Sequence, residues 1–252
     1  MIPALLLRNR SFVKTRRFEK PVYLGDPINI VRIFNDKEAD EVVVLDITAT
    51  VENKRPQLGL IEQLASECFM PVAYGGGVRD VDTARAILAI GVEKVCVNTH
   101  ALERPAFIRE LADVCGSQSV VVSLDVRHTW RGYRVCTRAG SRKLGLDPVA
   151  AAVQAEQMGA GEILLTAVDR DGTMSGYDIP LVRAVTSAVS IPVIACGGAA
   201  STADFSTAVR DGGAAAVAAG AMFVFHGPHR AVLINTPSAE ALDVAFAAAP
   251  VT

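Results

Sequence analysis

The sequence is poor in the residues that build metal centres, disulfide frameworks and hydrolase triads. It has four histidines, scattered at positions 100, 128, 226 and 229, and five cysteines, an odd number without a CxxC pair. Neither a zinc site nor a Ser/His/Asp triad is indicated, because both need such side chains in recurring patterns. The cysteines lie mostly within apolar runs, so we interpret them as reduced. This favours a cytoplasmic protein, for which we predict no metal and no other cofactor.

An excess of charge of one sign and long apolar stretches are also absent. The net charge is −2 and the pI about 6.1, which argues against general binding to nucleic acids or anionic membranes. No apolar run approaches the roughly 18 residues of a membrane span, and residues 1–7 are too short for a signal peptide. What is present is a chain of 252 residues, half of them hydrophobic, which can bury a large core.

Short apolar runs alternate with segments of helical periodicity along the chain. Asp80 and Asp147 precede two of the helical segments and fit helix N-caps. Repeated βα units predict a parallel sheet, and eight of them predict a closed (β/α)8 TIM barrel. The predicted strands are residues 2–7, 41–47, 70–74, 94–97, 119–125, 162–166, 192–195 and 214–218. The predicted helices include residues 57–68, 81–90, 105–114, 148–158 and 202–210.

The chain also repeats itself at half its length. The same shift carries Asp26-Pro27 onto Asp147-Pro148 and Gly76-Gly77 onto Gly197-Gly198. Such a period predicts two half-barrels related by a pseudo-twofold axis, approximately residues 1–118 and 119–240. We therefore expect one barrel domain over residues 1–252.

Two glycine-rich loops follow the predicted third and seventh strands, at Gly76-Gly77 and at Gly197-Gly198. Backbone N–H groups in such loops can bind a phosphate, and glycine lets the backbone approach it closely. The pair predicts either a substrate with a phosphate at each end or one working site and one relic. The residues that would complete the two pockets follow the fourth and eighth strands: Asn98, Thr99, Gly220 and Ala221.

Carboxylates collect where predicted strands end. Asp46 follows the second strand, Asp125 ends the fifth, and Asp169 and Asp171 follow the sixth. Acid/base catalysis needs such groups close together in a partly dry cleft. A polar strand-to-helix loop has the same composition, but the recurrence at several strand ends favours an active site. Cys196, beside the second glycine loop, is interpreted as a buried core residue rather than a nucleophile.

Two connections are unusually long. Residues 8–26, after the first strand, are rich in Lys and Arg, which is typical of a mobile lid over an anionic substrate. Residues 127–142, after the fifth strand, predict a hairpin excursion.

Together these motifs resemble the cyclase subunit family of imidazole glycerol phosphate synthase, over nearly the whole chain. Members of that family are (β/α)8 barrels. The most specific match is the run from Asp169 to Thr173, DRDGT, with Ser175-Gly176-Tyr177-Asp178. Further matches are Gly25-Asp26-Pro27, residues 40–49, Gly75-Gly76-Gly77, residues 116–118 and residues 159–166.

The resemblance implies a reaction that uses ammonia. In the family, a partner glutaminase docks on the N-terminal face and releases ammonia, which passes through the barrel to a two-phosphate substrate at the C-terminal face. The catalytic residues implied here are Asp125, as an acid/base, Lys14, in the first loop, and Asp171. The implied substrate pocket comprises Asp46, Gly76, Gly77, Asn98, Thr99, Thr166, Gly172, Gly197, Gly198, Gly220 and Ala221. The implied charged gate of the ammonia channel comprises Glu41, Lys94 and Glu162.

One departure from the family pattern bears on the reaction. The family's first strand ends in Cys-Leu-Asp-Val, and its aspartate is the second catalytic acid/base. Here the run is Ala4-Leu5-Leu6-Leu7, so Leu6 takes the place of the aspartate. Leucine cannot transfer a proton, and losing a general acid/base costs about two to four orders of magnitude in rate. Leu6 therefore argues against the family's cyclase reaction.

Other runs resemble a subgroup of cyclase-like proteins associated with acetamidino modification of surface sugars. There, the glutaminase and an additional amidotransferase convert an acetamido group on a nucleotide-linked sugar to an acetamidino group. We predict an ammonia-receiving synthase subunit of this kind, in surface-polysaccharide (O-antigen) biosynthesis, with a phosphorylated or nucleotide-linked substrate. Two alternatives stay open: an imidazole glycerol phosphate cyclase of histidine biosynthesis, and a non-catalytic barrel that activates the glutaminase. The runs in question are residues 2–7, 13–15, 25–35, 194–198 and 230–235.

Overall fold

The fold was obtained as a computed structural model, which describes residues 1–247; the last five residues of the predicted domain, 248–252, lie outside the described part. The strands are β1 (Ile2–Arg8), β2 (Ser11–Arg16), β3 (Glu19–Gly25), β4 (Val42–Asp46), β5 (Val72–Gly75), β6 (Lys94–Val97), β7 (Val120–Thr129), β8 (Gly132–Thr137), β9 (Arg142–Lys143), β10 (Glu162–Ala167), β11 (Val193–Cys196), β12 (Ala216–Ala219), β13 (Phe225–His226) and β14 (Ala231–Val232). The helices are α1 (Pro27–Asp36), α2 (Leu58–Glu67), α3 (Val81–Ala89), α4 (Thr99–Glu103), α5 (Ala106–Cys115), α6 (Pro148–Gln157), α7 (Ile179–Thr186), α8 (Thr202–Arg210), α9 (Ala221–Val224) and α10 (Ala239–Ala247), with a 3₁₀ turn at Ser117–Ser119.

Eight of the strands form a closed parallel barrel. Their order is β1-β4-β5-β6-β7-β10-β11-β12, and β12 pairs again with β1. Helices connect consecutive barrel strands, so the predicted (β/α)8 TIM barrel is confirmed. The division into two half-barrels stays a prediction.

Aspartates begin several of the outer helices. As predicted, Asp80 caps α3 by accepting a hydrogen bond from the Thr83 N–H at 2.7 Å, and Asp147 caps α6. Asp26 and Asp178 cap α1 and α7 in the same way, each followed by a proline in the first turn. A side-chain acceptor satisfies an N–H that has no partner inside the helix, which fixes where the helix starts.

The alternation of side chains along each strand divides the core into two layers. Odd and even positions of a strand point to opposite faces, so Leu5 and Leu7 pack outward against the helices while Ala4 and Leu6 point into the barrel. The inner layer is apolar and receives side chains from all eight barrel strands: Ile2, Ala4, Val43, Ala73, Cys96, Val121, Leu164, Ile194, Cys196 and Ala218.

Two β-hairpins extend the barrel at the carboxyl ends of its strands. The long connection after β1 is a paired hairpin rather than an irregular loop, because β2 pairs antiparallel with both β1 and β3. The hairpin predicted within residues 127–142 is confirmed: β7 runs on beyond the barrel and pairs antiparallel with β8. Among the helices of residues 1–247, none has the length and apolar character needed to cross a membrane.

Candidate functional site

A cavity of about 300 Å³ opens at the carboxyl ends of the barrel strands. Every second residue of a barrel strand points into the barrel. Lys94, Cys96 and Asn98 therefore follow one another along the inner face from one end to the other. Glu162, Leu164 and Thr166 do the same on β10. Nine of the predicted catalytic and binding residues line the cavity: Lys14, Asp46, Gly76, Gly77, Asn98, Thr99, Asp125, Thr166 and Asp171.

The remaining predicted binding residues lie on the same face but do not line this cavity. They belong to the segments that follow β10, β11 and β12: Gly172, Gly197, Gly198, Gly220 and, at the start of α9, Ala221. The β2–β3 hairpin covers part of this region. A Cβ atom built on Gly172 would lie 2.3 Å from the Thr15 carbonyl oxygen, so backbone meets backbone there. The cavity is therefore asymmetric, and only the first glycine loop contributes to it.

Asp125 is held in a partly protonated state by its surroundings. It lies at the inner face of β7, in register with Thr166 on β10. Burial raises the pKa of its carboxyl from the usual 3.8 to about 7, and the nearby Asp171 raises it further, while a hydrogen bond from Ser123 opposes the change. A carboxyl with a pKa near neutrality can both donate and accept a proton, as general acid/base catalysis requires.

Lys14 and Asp171 form a buried ion pair at the edge of the cavity. The Lys14 ammonium lies 2.7 and 3.0 Å from the two carboxylate oxygens, and the two residues are 4% and 6% exposed. The pair joins β2 to the loop after β10. The Arg17 N–H adds a hydrogen bond to the Asp171 carbonyl at 2.8 Å, and the Arg17 guanidinium donates to the Asp169 carbonyl at 3.0 Å.

Asp46 also lines the cavity, and its carboxylate has a structural role. One of its carboxylate oxygens accepts hydrogen bonds from the Thr48 N–H at 2.9 Å, the Thr48 hydroxyl at 2.8 Å and the Ala49 N–H at 3.0 Å. These bonds fix the turn after β4. The turn lies under the first glycine loop, where a Cβ on Gly76 would lie 2.4 Å from the Asp46 carbonyl oxygen.

Asn98 and Thr99 are held in place beside the first glycine loop. The Asn98 amide donates to the Ser123 carbonyl at 2.9 Å, and the Thr99 hydroxyl accepts from the Arg138 N–H at 3.1 Å. With Gly76 and Gly77 they surround one end of the cavity with N–H and hydroxyl groups. The Gly77 N–H donates to the Thr50 hydroxyl at 3.2 Å, so this polar end of the cavity is braced by the protein's own hydrogen bonds.

Two basic side chains of the cavity were not anticipated from the sequence. Arg8 is the last residue of β1, and its position at a strand end was the available signal. His100 is the second; burial lowers its pKa, so the ring is neutral at pH 7. The Cys196 thiol belongs to the interior: burial raises its pKa to about 12, so it is protonated and is not a nucleophile. Residues 1–247 hold no cluster of three or more His, Cys, Asp or Glu placed to bind a metal ion.

The predicted gate residues meet at the opposite end of the barrel. The Lys94 ammonium lies 2.9 Å from a Glu41 oxygen and 2.9 and 3.1 Å from the two Glu162 oxygens. Burial raises the pKa of the Glu41 carboxyl. Burial also acts to lower the pKa of Lys94, but its hydrogen bonds to both carboxylates outweigh that effect and raise it. One cation thus bridges two acids across the end of the barrel.

Comparison with known proteins gives a consistent family. The family model described as "Histidine biosynthesis protein" matches residues 1–227. The chain is 49% identical over 245 residues to a Pseudomonas aeruginosa protein named "Putative imidazole glycerol phosphate synthase subunit hisF2", covering 97% of this chain and 98% of that protein. It is 44% identical to the "Imidazole glycerol phosphate synthase subunit HisF" of Hyphomonas neptunium, over 89% of each chain. The protein of that name from Pyrococcus furiosus is 42% identical, over 90% of this chain and 89% of its own length.

Proposed function

The chain belongs to the histidine biosynthesis protein family, and we propose that it is a synthase subunit that receives ammonia from a partner glutaminase. We further propose that this ammonia serves the amidination of a nucleotide-linked sugar in surface-polysaccharide biosynthesis. An additional amidotransferase would complete that system.

The interior of the barrel supports an ammonia path. Glu162 and Thr166 lie on one face of β10, four residues apart, which corresponds to about 13 Å at the usual rise of a strand. Between the gate and the cavity, the inner layer is apolar and includes small side chains such as Ala73 and Ala218. Neutral ammonia can pass such a layer, whereas ions lose their hydration and are excluded.

The observation that carries the amidination proposal is Leu6. It points into the cavity, is 7% exposed, and is flanked in register by Leu45 on β4 and Val13 on β2. The family resemblance places an acid/base at this position, and here the wall is apolar. With leucine at this position, the cavity lacks there the second proton-transfer group of a cyclase.

A second candidate function is the cyclase of histidine biosynthesis. The observation that favours it is that Asp125 and Lys14 line the same cavity, in a chain 42–44% identical to proteins named for that synthase. Under this function Asp125 alone would serve both proton transfers, at a lower rate.

A direct assay separates the two. The purified protein is given an ammonium salt and the aminal substrate of the histidine pathway. We expect no turnover from a folded protein, as judged by circular dichroism. Robust turnover would overturn the amidination proposal. Reconstitution with the glutaminase, the sugar amidotransferase and isotopically labelled glutamine should then place the label in the acetamidino group only when the barrel is present.

Leu6→Asp is the companion variant. If the rest of the cavity still fits the cyclase substrate, this change creates cyclase activity where the parent protein has none. Leu6→Asn is the matched control, because asparagine has nearly the size of aspartate but carries no acid group. Cyclase activity in both variants would show that the space in the cavity, rather than proton transfer, limited the reaction.

A non-catalytic barrel that only activates the glutaminase gives a different result with Asp125→Asn. Under that function both the glutaminase rate and product formation are unchanged. A catalytic role for Asp125 predicts loss of product with the glutaminase rate retained. The two rates are measured in the same reconstituted mixture.

A further inference from the structure

We propose that the two hairpins beside the cavity mouth form a docking surface for an acidic face of the sugar amidotransferase, the enzyme that consumes the ammonia. This inference rests on the proposed function and adds to it the surface on which the two proteins meet. The surface, called here the basic rim, comprises residues 8–23 of the first hairpin and residues 127–143 of the second.

The basic rim contains nearly half of the protein's basic residues. Twelve of the 25 Lys and Arg residues lie in its two segments, together with a single acid, Glu19. In the rest of the chain, 26 acidic residues outnumber 13 basic ones. The small net charge of the whole protein therefore conceals a strongly positive surface at one end. Such a surface attracts a negatively charged partner and repels positively charged ones.

The two segments of the basic rim are in contact with each other. The Arg127 guanidinium, on the second hairpin, donates a hydrogen bond to the Arg17 carbonyl of the first at 3.4 Å. A Cβ atom built on Gly140 would lie 3.1 Å from the Phe18 ring. Phe18 and Ala139, one from each hairpin, both line the cavity. The rim is thus one continuous surface along one side of the cavity mouth.

Half of the rim's basic side chains have no partner within the protein. Four of the twelve form ion pairs with the protein's own acids. Six others are exposed, and their charged groups form neither an ion pair nor a hydrogen bond within residues 1–247. These six side chains are Arg8, Arg10, Arg16, Lys20, Arg131 and Lys143.

A small ligand in the cavity does not account for these charges. Of the six unpaired side chains, only Arg8 lines the cavity. A ligand bound there leaves the other five in solvent. A protein partner covers about 800 Å² of surface on each side of an interface, which is enough to meet charges on both hairpins.

The rim also exposes aromatic side chains. Trp130, in the turn between β7 and β8, is 86% exposed, and Tyr23 on β3 is 64% exposed. The Arg131 guanidinium lies 4.2 Å from the centre of the Trp130 ring. Trp, Tyr and Arg are the residue types that contribute most binding energy at protein–protein interfaces. The composition of the rim therefore fits a protein partner.

The position of the rim favours the ammonia-consuming enzyme over other acidic partners. In the proposed path ammonia arrives in the cavity, and the rim borders its mouth. Neutral water protonates ammonia, and ammonium is not a nucleophile. An enzyme docked on the rim receives ammonia before most of it mixes with solvent. The other side of the mouth, at Thr50 and Val51, stays open.

Calorimetry of the barrel–glutaminase complex with the purified sugar amidotransferase tests the docking. We expect one amidotransferase per barrel, with binding that weakens about tenfold or more between about 50 mM and about 500 mM salt, because salt screens exposed charges. No binding, or binding that salt does not change, would overturn the proposal.

Charge-reversal variants assign the surface. Lys20→Glu on the first hairpin and Arg131→Glu on the second should each weaken binding about fivefold or more, since attraction is replaced by repulsion. Arg85→Glu is the matched control, because Arg85 is exposed on α3 and forms no ion pair within residues 1–247. Equal thermal unfolding and equal glutaminase rates check the fold of all variants. Unchanged binding in both rim variants, or the same loss in Arg85→Glu, would contradict the assignment.

Isotope dilution measures whether docking guides the ammonia. Glutamine labelled in its amide nitrogen is supplied together with unlabelled ammonium salt. We expect product from the parent protein and from Arg85→Glu to carry more label than the dissolved ammonium pool. Product from Lys20→Glu and Arg131→Glu should approach the label of that pool. Product from the parent protein that already matches the pool would count against docking.

Further outcomes separate this inference from its alternatives. Sedimentation with vesicles that contain phosphatidylglycerol tests a membrane as the occupant, and we expect no binding. Binding to vesicles that is lost in the rim variants, without a complex with the amidotransferase, would overturn the proposal. Labelled product without any complex would refute the docking alone. A salt-sensitive complex in which glutamine nitrogen never enters the product would refute the ammonia-receiving role alone.

Discussion

At the scale of single residues, the two acids of the cavity differ because of their neighbours. Asp171 is paired with Lys14, whereas Asp125 is largely buried and forms no ion pair with any of residues 1–247; the charges of Asp171 and Arg127 act on its pKa in opposite directions. Burial without a cation favours the neutral carboxyl. The two acids are therefore suited to different tasks, Asp125 to proton transfer and Asp171 to holding the hairpin.

The pKa of Asp125 predicts a pH-dependent stability. The folded protein holds this proton more tightly than the unfolded chain, since the pKa is raised from 3.8 to about 7. Its contribution is complete below about pH 4 and falls as the pH rises to about 7. The loss is on the order of 4 kcal/mol at most, since each pKa unit corresponds to about 1.4 kcal/mol. In urea unfolding at about pH 5 and about pH 8, Asp125→Asn should lack this decline; parallel profiles of variant and parent would contradict it.

Lys14→Met should destabilise the fold. It leaves the Asp171 carboxylate buried without a cation, which costs about 3–5 kcal/mol. The double variant Lys14→Met/Asp171→Asn removes the orphaned charge and should recover most of the loss. Lys143→Met, at an exposed position of β9, is the control. Denaturant unfolding measures all four proteins, and a double variant no more stable than Lys14→Met would refute the account.

Local pattern predicted which residues reach the cavity better than it predicted their partners. Asn98 and Asp125 follow from their places at predicted strand ends, whereas Thr166 was implied by the family resemblance. The Lys14–Asp171 pair joins positions 157 residues apart, so no local pattern shows it. Arg8 was missed because the charges of residues 8–26 were interpreted together as a lid.

At the scale of elements, the β2–β3 hairpin decides the shape of the site. Phe12 and Val13 are buried while residues 19–23 are exposed, so β2 packs against the barrel and β3 faces solvent. The sequence interpretation noted the charge and length of this connection. That interpretation assigned the charges to an anionic substrate. In the structure, two basic residues of the stretch, Lys14 and Arg17, form hydrogen bonds to the loop after β10.

Gly172→Ala should lift the hairpin from that loop. Gly172 has φ +70° and a Cβ there would lie 2.3 Å from the Thr15 carbonyl oxygen, so backbone must move. We expect faster trypsin cleavage at the exposed Arg16 and Arg17, since proteases need locally opened chain. Gly145→Ala is the matched control, with the same φ of +70° and nothing within 4 Å. Equal cleavage in both variants would mean that φ strain, not the contact, is responsible.

Helices were predicted from their periodicity, with or without a recognised N-cap. The predicted segments at 81–90, 148–158 and 202–210 match α3, α6 and α8 within one residue at each end. α1 and α7 were not identified, although each begins with an aspartate cap and an early proline. α7 has only eight residues, too few for a clear helical period.

At the scale of the whole molecule, the barrel has two chemically different ends. Acids bridged by Lys94 close one end, and the cavity with Asp125 opens at the other. The count of βα units was enough to predict the closed barrel, because eight units close on themselves. The sequence could not show which glycine loop faces the cavity, since the two loops are alike locally and differ only in what the hairpin covers.

Because the two ends of the barrel differ, a variant at the gate should lose activity with one nitrogen source and keep it with another. Lys94→Met leaves Glu41 and Glu162 without their shared cation, so the gate loses its bridged arrangement. If ammonia enters through that end, product formation from glutamine should fall roughly fivefold to a hundredfold, the range of a broken coupling between sites. Formation from added ammonium salt should stay unchanged, because dissolved ammonia reaches the cavity from its open face.

Lys37→Met is the control for this last prediction. Lys37 is an exposed lysine that follows α1 and forms no ion pair within residues 1–247. With either nitrogen source, Lys37→Met should form product at the rate of the parent protein. Glutaminase binding, measured by calorimetry, should be the same for the parent and both variants. An equal fall with glutamine and with ammonium in Lys94→Met would show instead that Lys94 supports the fold or the chemistry, since a broken inlet cannot slow a reaction that bypasses it.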